Sequence, residues 1–252
     1  MSTNTQELYQ DRTSCRLCHK ENLAVAFPMT SFPRGDGYAT PAQFVKEPLL
    51  PLDIMFCNDC GNVQTSVDVN QSYIYSHYLW TTSISPGLTK SYDEYVTDLT
   101  QRYFKDKQGL SVELGSNDGT FSNFLKAKGF DTLGIDPAQN LATLATKNGI
   151  ETWPEFFNTD IAKKIISKKS KADLVVANHM FANINDVQVI TDGVKELLSP
   201  SGLFVIQVFY LYDVVRDKLL ENFNHEHPSY YYTRTLKKYF EANGFEMIDA
   251  SR

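Results

Sequence analysis

The chain has 252 residues, 42 % of them hydrophobic and 21 % charged, with a net charge of −6. That is enough for one large or two modest domains with a real core, and the negative balance argues against a general nucleic-acid or membrane-surface binder. No apolar run approaches the ~20 residues that span a bilayer, and the polar N-terminus lacks the apolar region of a signal peptide, so a cytoplasmic protein acting on a small molecule is expected.

All four cysteines fall in C-x-x-C pairs, Cys15 with Cys18 and Cys57 with Cys60. The two-residue spacing lets both sulfurs of a pair reach one metal. Two such pairs read as a tetrahedral zinc site of structural type, with no open position. Gly61 eases the turn after the second pair, and His19 reads as a surface residue. Between the pairs there is room for a small β-rich insert: an apolar stretch at 23–27, a Gly- and Pro-rich stretch at 31–40, and a run at 49–55 where Pro51 favours an edge strand. The expected zinc-binding domain covers residues 1–70.

Residues 67–78 read as a linker running into an aromatic segment, 73–80, that contains Tyr78. The T-T-S-I-S-P run at 81–86 cannot be a helix interior. Over 88–104 the apolar residues Leu88, Tyr92, Tyr95, Val96, Leu99 and Tyr103 have helical spacing, which predicts a helix packed on a sheet ahead of its first strand. Strands are then expected at 110–114, 132–137, 152–157, 172–178, 203–208 and 245–250. Helices are expected at 121–128, 138–148, 161–167, 187–198 and 236–243. This alternation predicts an α/β, doubly wound, Rossmann-like sheet over residues 71–252. Most of its strands are nearly continuous apolar runs, as parallel strands covered on both faces should be.

The stretch E-L-G-S-N-D-G-T, residues 113–120, ends the first of these strands. A tight strand-to-helix turn brings backbone N–H groups and a helix N-terminus close to a ligand. A dinucleotide fingerprint needs G-x-G-x-x-G there, but Asn117 stands in place of the middle glycine. The polar Ser116, Asn117 and Asp118 suit a ligand with an amino-acid tail better than a pyrophosphate, and Glu113, inside the strand, and Gly115 belong to the same candidate site. Asp136, followed by Pro137, ends the second strand, where a carboxylate can accept both hydroxyls of a ribose. Asn178 ends the fourth. Together they predict an S-adenosylmethionine site at the C-terminal edge of the sheet, the turn of a methyltransferase.

The zinc knuckles, the Tyr-x-His-Tyr segment with its T-S-I-S-P sequel, E-L-G-S-N-D-G-T, G-I-D-P-A, A-N-H-M-F-A-N and H-E-H-P-S-Y-Y run in order from residue 15 to residue 245. In this set the chain resembles the zinc-containing, S-adenosylmethionine-dependent C-methyltransferases of nucleotide-linked 4-keto-deoxysugars. The resemblance implies a methyltransferase that acts through an enolate, with a nucleotide sugar as substrate. It implies His227 as the base, Glu226 and His225 beside it, and Tyr78 near the substrate, where a phenol can donate to the enolate oxygen. Imidazole titrates near neutrality, which suits removal of a proton next to a ketone. In that family the chain continues into a further α/β domain, so the resemblance also implies truncation at the C-terminus. Three positions depart from the family pattern: Asn224 stands where a Tyr is usual before H-E-H, Asn183 where a His is usual after the fourth strand, and His179 where an Asn is usual one position from a cofactor contact. Two other readings fit the residues: methyl transfer to an O or N atom, and a non-catalytic, cofactor-binding remnant that serves as a partner module.

Overall fold

Every residue of the strand Leu110–Leu114 is buried, Ser111 and Glu113 included. A strand with no solvent face must be paired on both sides and covered above and below. In the computed structural model, which describes residues 8–34, 40, 47–76, 78–105 and 108–252, it lies at the centre of a five-stranded sheet. The strands that build it are β6 (Leu110–Leu114), β7 (Asp131–Ile135), β8 (Thr152–Trp153), β9 (Ala172–Asn178) and β10 (Leu198–Gln207). Their spatial order is β10-β9-β6-β7-β8, and all four pairings are parallel. The chain leaves β6 for one side through β7 and β8, then crosses to the other through β9 and β10. The switch point therefore lies between β6 and β9, where ligands of such sheets bind at the strand C-termini.

The long helix α2 (Pro86–Tyr103) is capped by the Ser85 hydroxyl, which accepts from Leu88 N–H, and carries Pro86 in its first turn. Its Tyr92, Val96 and Leu99 pack with Phe121, Leu125 and Phe130 and with Leu174 and Val176 of β9. Tyr92 meets Phe121 edge-on, centroids 5.1 Å apart. Phe121 and Leu125 belong to α3 (Thr120–Ala127), which follows the turn after β6. The helices α4 (Gln139–Lys147), α5 (Thr159–Lys168) and α6 (Val187–Leu197) complete the crossovers.

The chain divides into two compact units. The sheet unit comprises Tyr75–Phe181 and Gln188–Gln207; the other comprises Met1–Ile74, Ala182–Val187 and Val208–Arg252. In this second unit β2 (Leu23–Phe27), β3 (Ile54–Cys57) and β4 (Val63–Thr65) form an antiparallel sheet, with β11 (Ser229–Tyr230) added at the β4 edge. Ile54, Val63, Leu211 and Tyr230 make its small apolar core. Strand β1 (Tyr9–Asp11) pairs with β5 (Val67–Val69). Helices α1 (Gln71–Tyr75), α7 (Leu211–Arg216) and α8 (Thr233–Ala242) complete the described α-helices.

Two expectations need correction. Residues 67–78 are not a linker: Val67–Val69 is a buried strand, and Gln71–Tyr75 is a short helix. Three residues carry too little pattern to reveal a strand whose partner lies 58 positions earlier. Residues 245–250 form no sixth strand. Phe245 packs on Phe240 and donates its N–H to the Phe240 carbonyl, closing α8, and Ile248 is exposed. Of the stretch at 31–40, residues 35–39 lie outside the described residues, as does His77. No described helix is long and apolar enough to cross a membrane.

Candidate active site and metal centre

The two knuckles fold alike. His19 N–H donates to the Cys15 carbonyl and Gly61 N–H to the Cys57 carbonyl, each at 2.9 Å. The residue after each knuckle has positive φ, +59° at His19 and +79° at Gly61, so a histidine occupies one position of the kind glycine fills in the other. One ligand atom from each cysteine lies within 4.8 Å of all the others. Cys15 Sγ is 3.5 Å from Cys60 Sγ, and Cys18 Sγ is 3.6 Å from Cys57 Sγ. Sulfurs at ~2.3 Å from a tetrahedral zinc stand about 3.8 Å apart, so the donor set fits that ion. Cys15 is drawn down to about 5, chiefly by the hydrogen bond from Cys60, which pushes the Cys60 thiol far up. Thiols this close cannot all keep ordinary protons, and a central dication removes the conflict.

At the sheet, Gly115 and Gly119 both have positive φ, +69° and +79°. A Cβ on Gly115 would stand 2.8 Å from Met180 Cγ. Glu113 points back into the fold. One of its oxygens accepts Ser122 N–H at 3.1 Å and Ser122 Oγ–H at 2.6 Å, which ties β6 to the first turn of α3. Burial pushes its carboxyl up to about 8, against the pull of those two bonds. Asp136 accepts Asn117 N–H at 2.8 Å and Ala138 N–H at 2.9 Å, clamping the turn after β6 to the start of α4. Burial raises its pKa in spite of these bonds. Pro137 is half-buried between them.

Asn117 and Asp118 turn their side chains toward the segment before α2. Asn117 Oδ1 accepts Thr82 N–H at 2.9 Å, Asn117 Nδ2 donates to the Trp80 carbonyl at 3.1 Å, and Asp118 Oδ2 accepts Ser83 N–H at 2.9 Å. The T-S-I-S-P segment is thus strapped to the turn. Tyr78 lies in the same unit, its carbonyl accepting Asn140 Nδ2 at 2.7 Å. Among the described residues, several buried polar atoms lack protein partners, and three of the side chains concerned lie at this edge: Ser116 through Oγ, Asn178 through both carboxamide atoms and Gln207 through Oε1. Asn178 is 6 % exposed at the last position of β9. Buried polar atoms are rarely left unpaired, and unpaired ones at the C-terminal edge of this sheet fit a polar ligand such as S-adenosylmethionine.

The H-E-H residues lie in the unit that holds the zinc knuckles. His225 is buried, with Nε2 3.0 Å from the Pro51 carbonyl. Burial lowers its pKa. Glu226 is also buried, and its N–H donates to Asn224 Oδ1 at 2.9 Å. His227 Nδ1 stands 3.0 Å from the Asn222 carbonyl. Asn224 Nδ2 stands 3.3 Å from the same nitrogen; the shorter contact, to a carbonyl that only accepts, favours the proton on Nδ1 and the lone pair on Nε2, and the amide contact favours the reverse. The ring of Phe209 meets the imidazole at 5.1 Å. Asn224 Nδ2 donates to the Glu221 carbonyl, and Asn183 is half-buried with Oδ1 unpaired. The structure therefore gathers Glu113, Gly115, Ser116, Asn117, Asp118, Asp136 and Asn178 at the strand ends of one unit, and His225, Glu226 and His227 with the cysteines in the other.

Sequence reasoning missed Arg16, inside the first knuckle. It is 1 % exposed, and its guanidinium donates to Asp68 Oδ1 and to the carbonyls of Thr65, Val67 and Pro228. An arginine between two cysteines reads as surface, and nothing local marks Asp68 or Pro228 as its partners.

Residues 88–250 match the family model of a methyltransferase domain, and residues 15–75 that of a zinc binding domain. C-methyltransferase NovU of Streptomyces niveus is 28 % identical over 245 residues, which is 97 % of this chain; the chain spans 58 % of that relative's length. Among solved structures, an S-adenosylmethionine-dependent methyltransferase from Clostridium acetobutylicum matches with a TM-score of 0.50 at 15 % identity, over 64 % of this chain and 82 % of that one. One from Archaeoglobus fulgidus gives 0.48 at 18 % identity, over 61 % and 69 %. The Clostridium match shows the fold, a Rossmann-like methyltransferase sheet.

Proposed function

The chain belongs to the methyltransferase-domain family, whose methyl donor is S-adenosylmethionine, and from this premise we propose that it methylates a carbon next to the ketone of a nucleotide-linked 4-keto-deoxysugar. When bound, the donor supplies an electrophilic methyl group. His227 takes the α-proton on Nε2, the substrate becomes an enolate, and Tyr78 donates to the enolate oxygen. The enolate carbon would take that methyl group, and the sulfonium sulfur would keep the electron pair of its bond to it. Glu226 and His225 flank the base. The proposed donor site is the turn with Gly115 and Ser116, together with Asp136, Pro137 and Asn178; Glu113, Asn117 and Asp118 shape that turn through their own hydrogen bonds, and Asp136 is the proposed acceptor for the ribose hydroxyls.

The observation that carries this reading is the Asn222 carbonyl 3.0 Å from His227 Nδ1, shorter than the 3.3 Å contact from Asn224 Nδ2, which supports the tautomer a general base needs. The C-methyltransferase relative supports carbon as the acceptor. The division into a zinc-binding domain, 1–70, and a methyltransferase domain, 71–252, draws support from the spans of the two family models. Four thiols arranged as metal ligands support a reducing, cytoplasmic location.

The test is deuterium exchange at the α-carbon of a panel of 4-keto nucleotide sugars, followed by methyl transfer. His227→Gln should slow both by about 10²–10⁴-fold while calorimetry still shows S-adenosylmethionine binding. Wild-type exchange in that variant would remove His227 as the base.

A further inference from the structure

We infer that Arg16 is a positioning residue for His227, acting through the Pro228 carbonyl. The inference rests on the reading of His227 as the base. Cys15 and Cys18 flank Arg16, so the metal site that gathers those sulfurs also fixes the backbone from which the guanidinium reaches. Nη1 donates to the carbonyls of Thr65 and Pro228, both at 3.0 Å. Nη2 donates to Asp68 Oδ1 at 2.5 Å and to the Val67 carbonyl at 2.8 Å. The Arg16 N–H donates to Gln64 Oε1 at 2.8 Å. Asp68 is steadied in turn by Arg12 at 3.0 Å.

A buried charge is a poor way to gain stability, because desolvation opposes the ion pair. What a planar fork gains over an apolar side chain is direction: its donors fix several acceptors relative to one another. Here one of those acceptors belongs to the residue after the base. Pro228 has no N–H, so its carbonyl is its one backbone hydrogen-bonding group, and the proline restricts His227 to extended backbone. That carbonyl takes a second donor, Thr65 N–H at 2.9 Å. On the other side the Asn222 carbonyl holds His227 Nδ1, and it also accepts Tyr230 Oη–H at 3.2 Å. His227 is thus anchored through the backbone that follows it, at the Pro228 carbonyl, and through its ring, at the Asn222 carbonyl and Asn224 Nδ2, and Arg16 sets the backbone anchor.

The experiment uses the full chain, zinc-loaded, as wild type, Arg16→Lys and Asp68→Asn. Lysine keeps the charge but loses the fork. Metal analysis and calorimetry with S-adenosylmethionine check that both sites are intact. The decisive readout is the ¹⁵N signature of the His227 imidazole. Wild type should show the Nδ1–H tautomer, and Arg16→Lys a mixture of both. The rate constant of α-proton exchange should fall about 10- to 100-fold with KM within about twofold, the pattern of a displaced base rather than a lost binding contact. Asp68→Asn, which keeps a hydrogen-bond partner, should shift both readouts less and in the same direction. A wild-type tautomer and wild-type exchange in Arg16→Lys would overturn the inference. If Arg16→Lys does not fold, the same result in Asp68→Asn overturns it. If His227→Gln leaves exchange intact, the base reading fails, while the ¹⁵N signature still decides whether Arg16 holds the ring.

Discussion

Replacing Gly115 by alanine tests whether the turn after β6 is built as described. Two costs add. Gly115 sits at φ +69°, where an L-residue pays about 1–2 kcal/mol. Its new Cβ would also stand 2.8 and 2.9 Å from Met180 Cγ and Cβ. Those atoms are at the base of the side chain, so a rotamer change does not clear them, and overpacking of this kind costs about 1–3 kcal/mol. The expected loss is therefore about 2–5 kcal/mol, a large share of the ~5–15 kcal/mol that holds a typical domain together. With a urea m-value near 2 kcal/mol/M, the midpoint should fall by roughly 1–2.5 M. S-adenosylmethionine affinity should drop with it. Met180→Ala on the Gly115→Ala background removes Cγ but keeps Cβ at 2.9 Å, so it should return only part of the steric share and leave the dihedral share. Gly87→Ala is the internal control. That glycine lies in the first turns of α2 with nothing within 4 Å of the added Cβ, so alanine there should stabilise by about 0.5–1 kcal/mol. Equal midpoints for Gly115→Ala and wild type would refute the conformation assigned to the turn.

Two further outcomes are expected. Stripping the metal with a chelator should unlink residues 15–18 from residues 57–60 and abolish the near-UV circular dichroism of that unit, since structural zinc contributes about 10–16 kcal/mol of apparent binding free energy; added zinc should restore it, and a metal-free protein with an unchanged spectrum would count against a structural ion. Glu113 should make stability pH-dependent. Its folded value, about 8, lies above its ordinary 4.5, so its contribution is fully present below about 4.5 and fades as pH rises through about 8. Urea midpoints of Glu113→Gln should lose that slope, and parallel pH curves for the two proteins would contradict the assignment.

The parallel sheet was legible because its strands are buried on both faces, and burial of that kind writes itself as apolar runs such as 172–178. The cysteine site was legible because its ligands come in local pairs. The turn at 113–120 was legible in position but less so in detail. Asn117 and Asp118 read as ligand contacts, whereas their side chains hold the backbone of Trp80 to Ser83. Polar side chains in a loop carry no mark of whether they face a ligand or another stretch of chain. The same holds for β11, two residues long, and for Arg16, whose partners are set by tertiary folding. The failed strand at 245–250 has apolar residues at 245, 247 and 248, but Phe245 is drawn into the helix end and the rest find no edge to join.

The strand Ser229–Tyr230 beside Val63–Thr65 has a consequence for synthesis. The sheet around the cysteines gains its last strand, and Arg16 its Pro228 acceptor, only when the ribosome has added about 160 further residues, some 8–30 s at ~5–20 residues per second. Until then the β4 edge is an open ladder, and open ladders pair with other chains. A fragment ending near residue 70 would carry that edge permanently. The nascent chain must shelter it until its own C-terminal segment arrives.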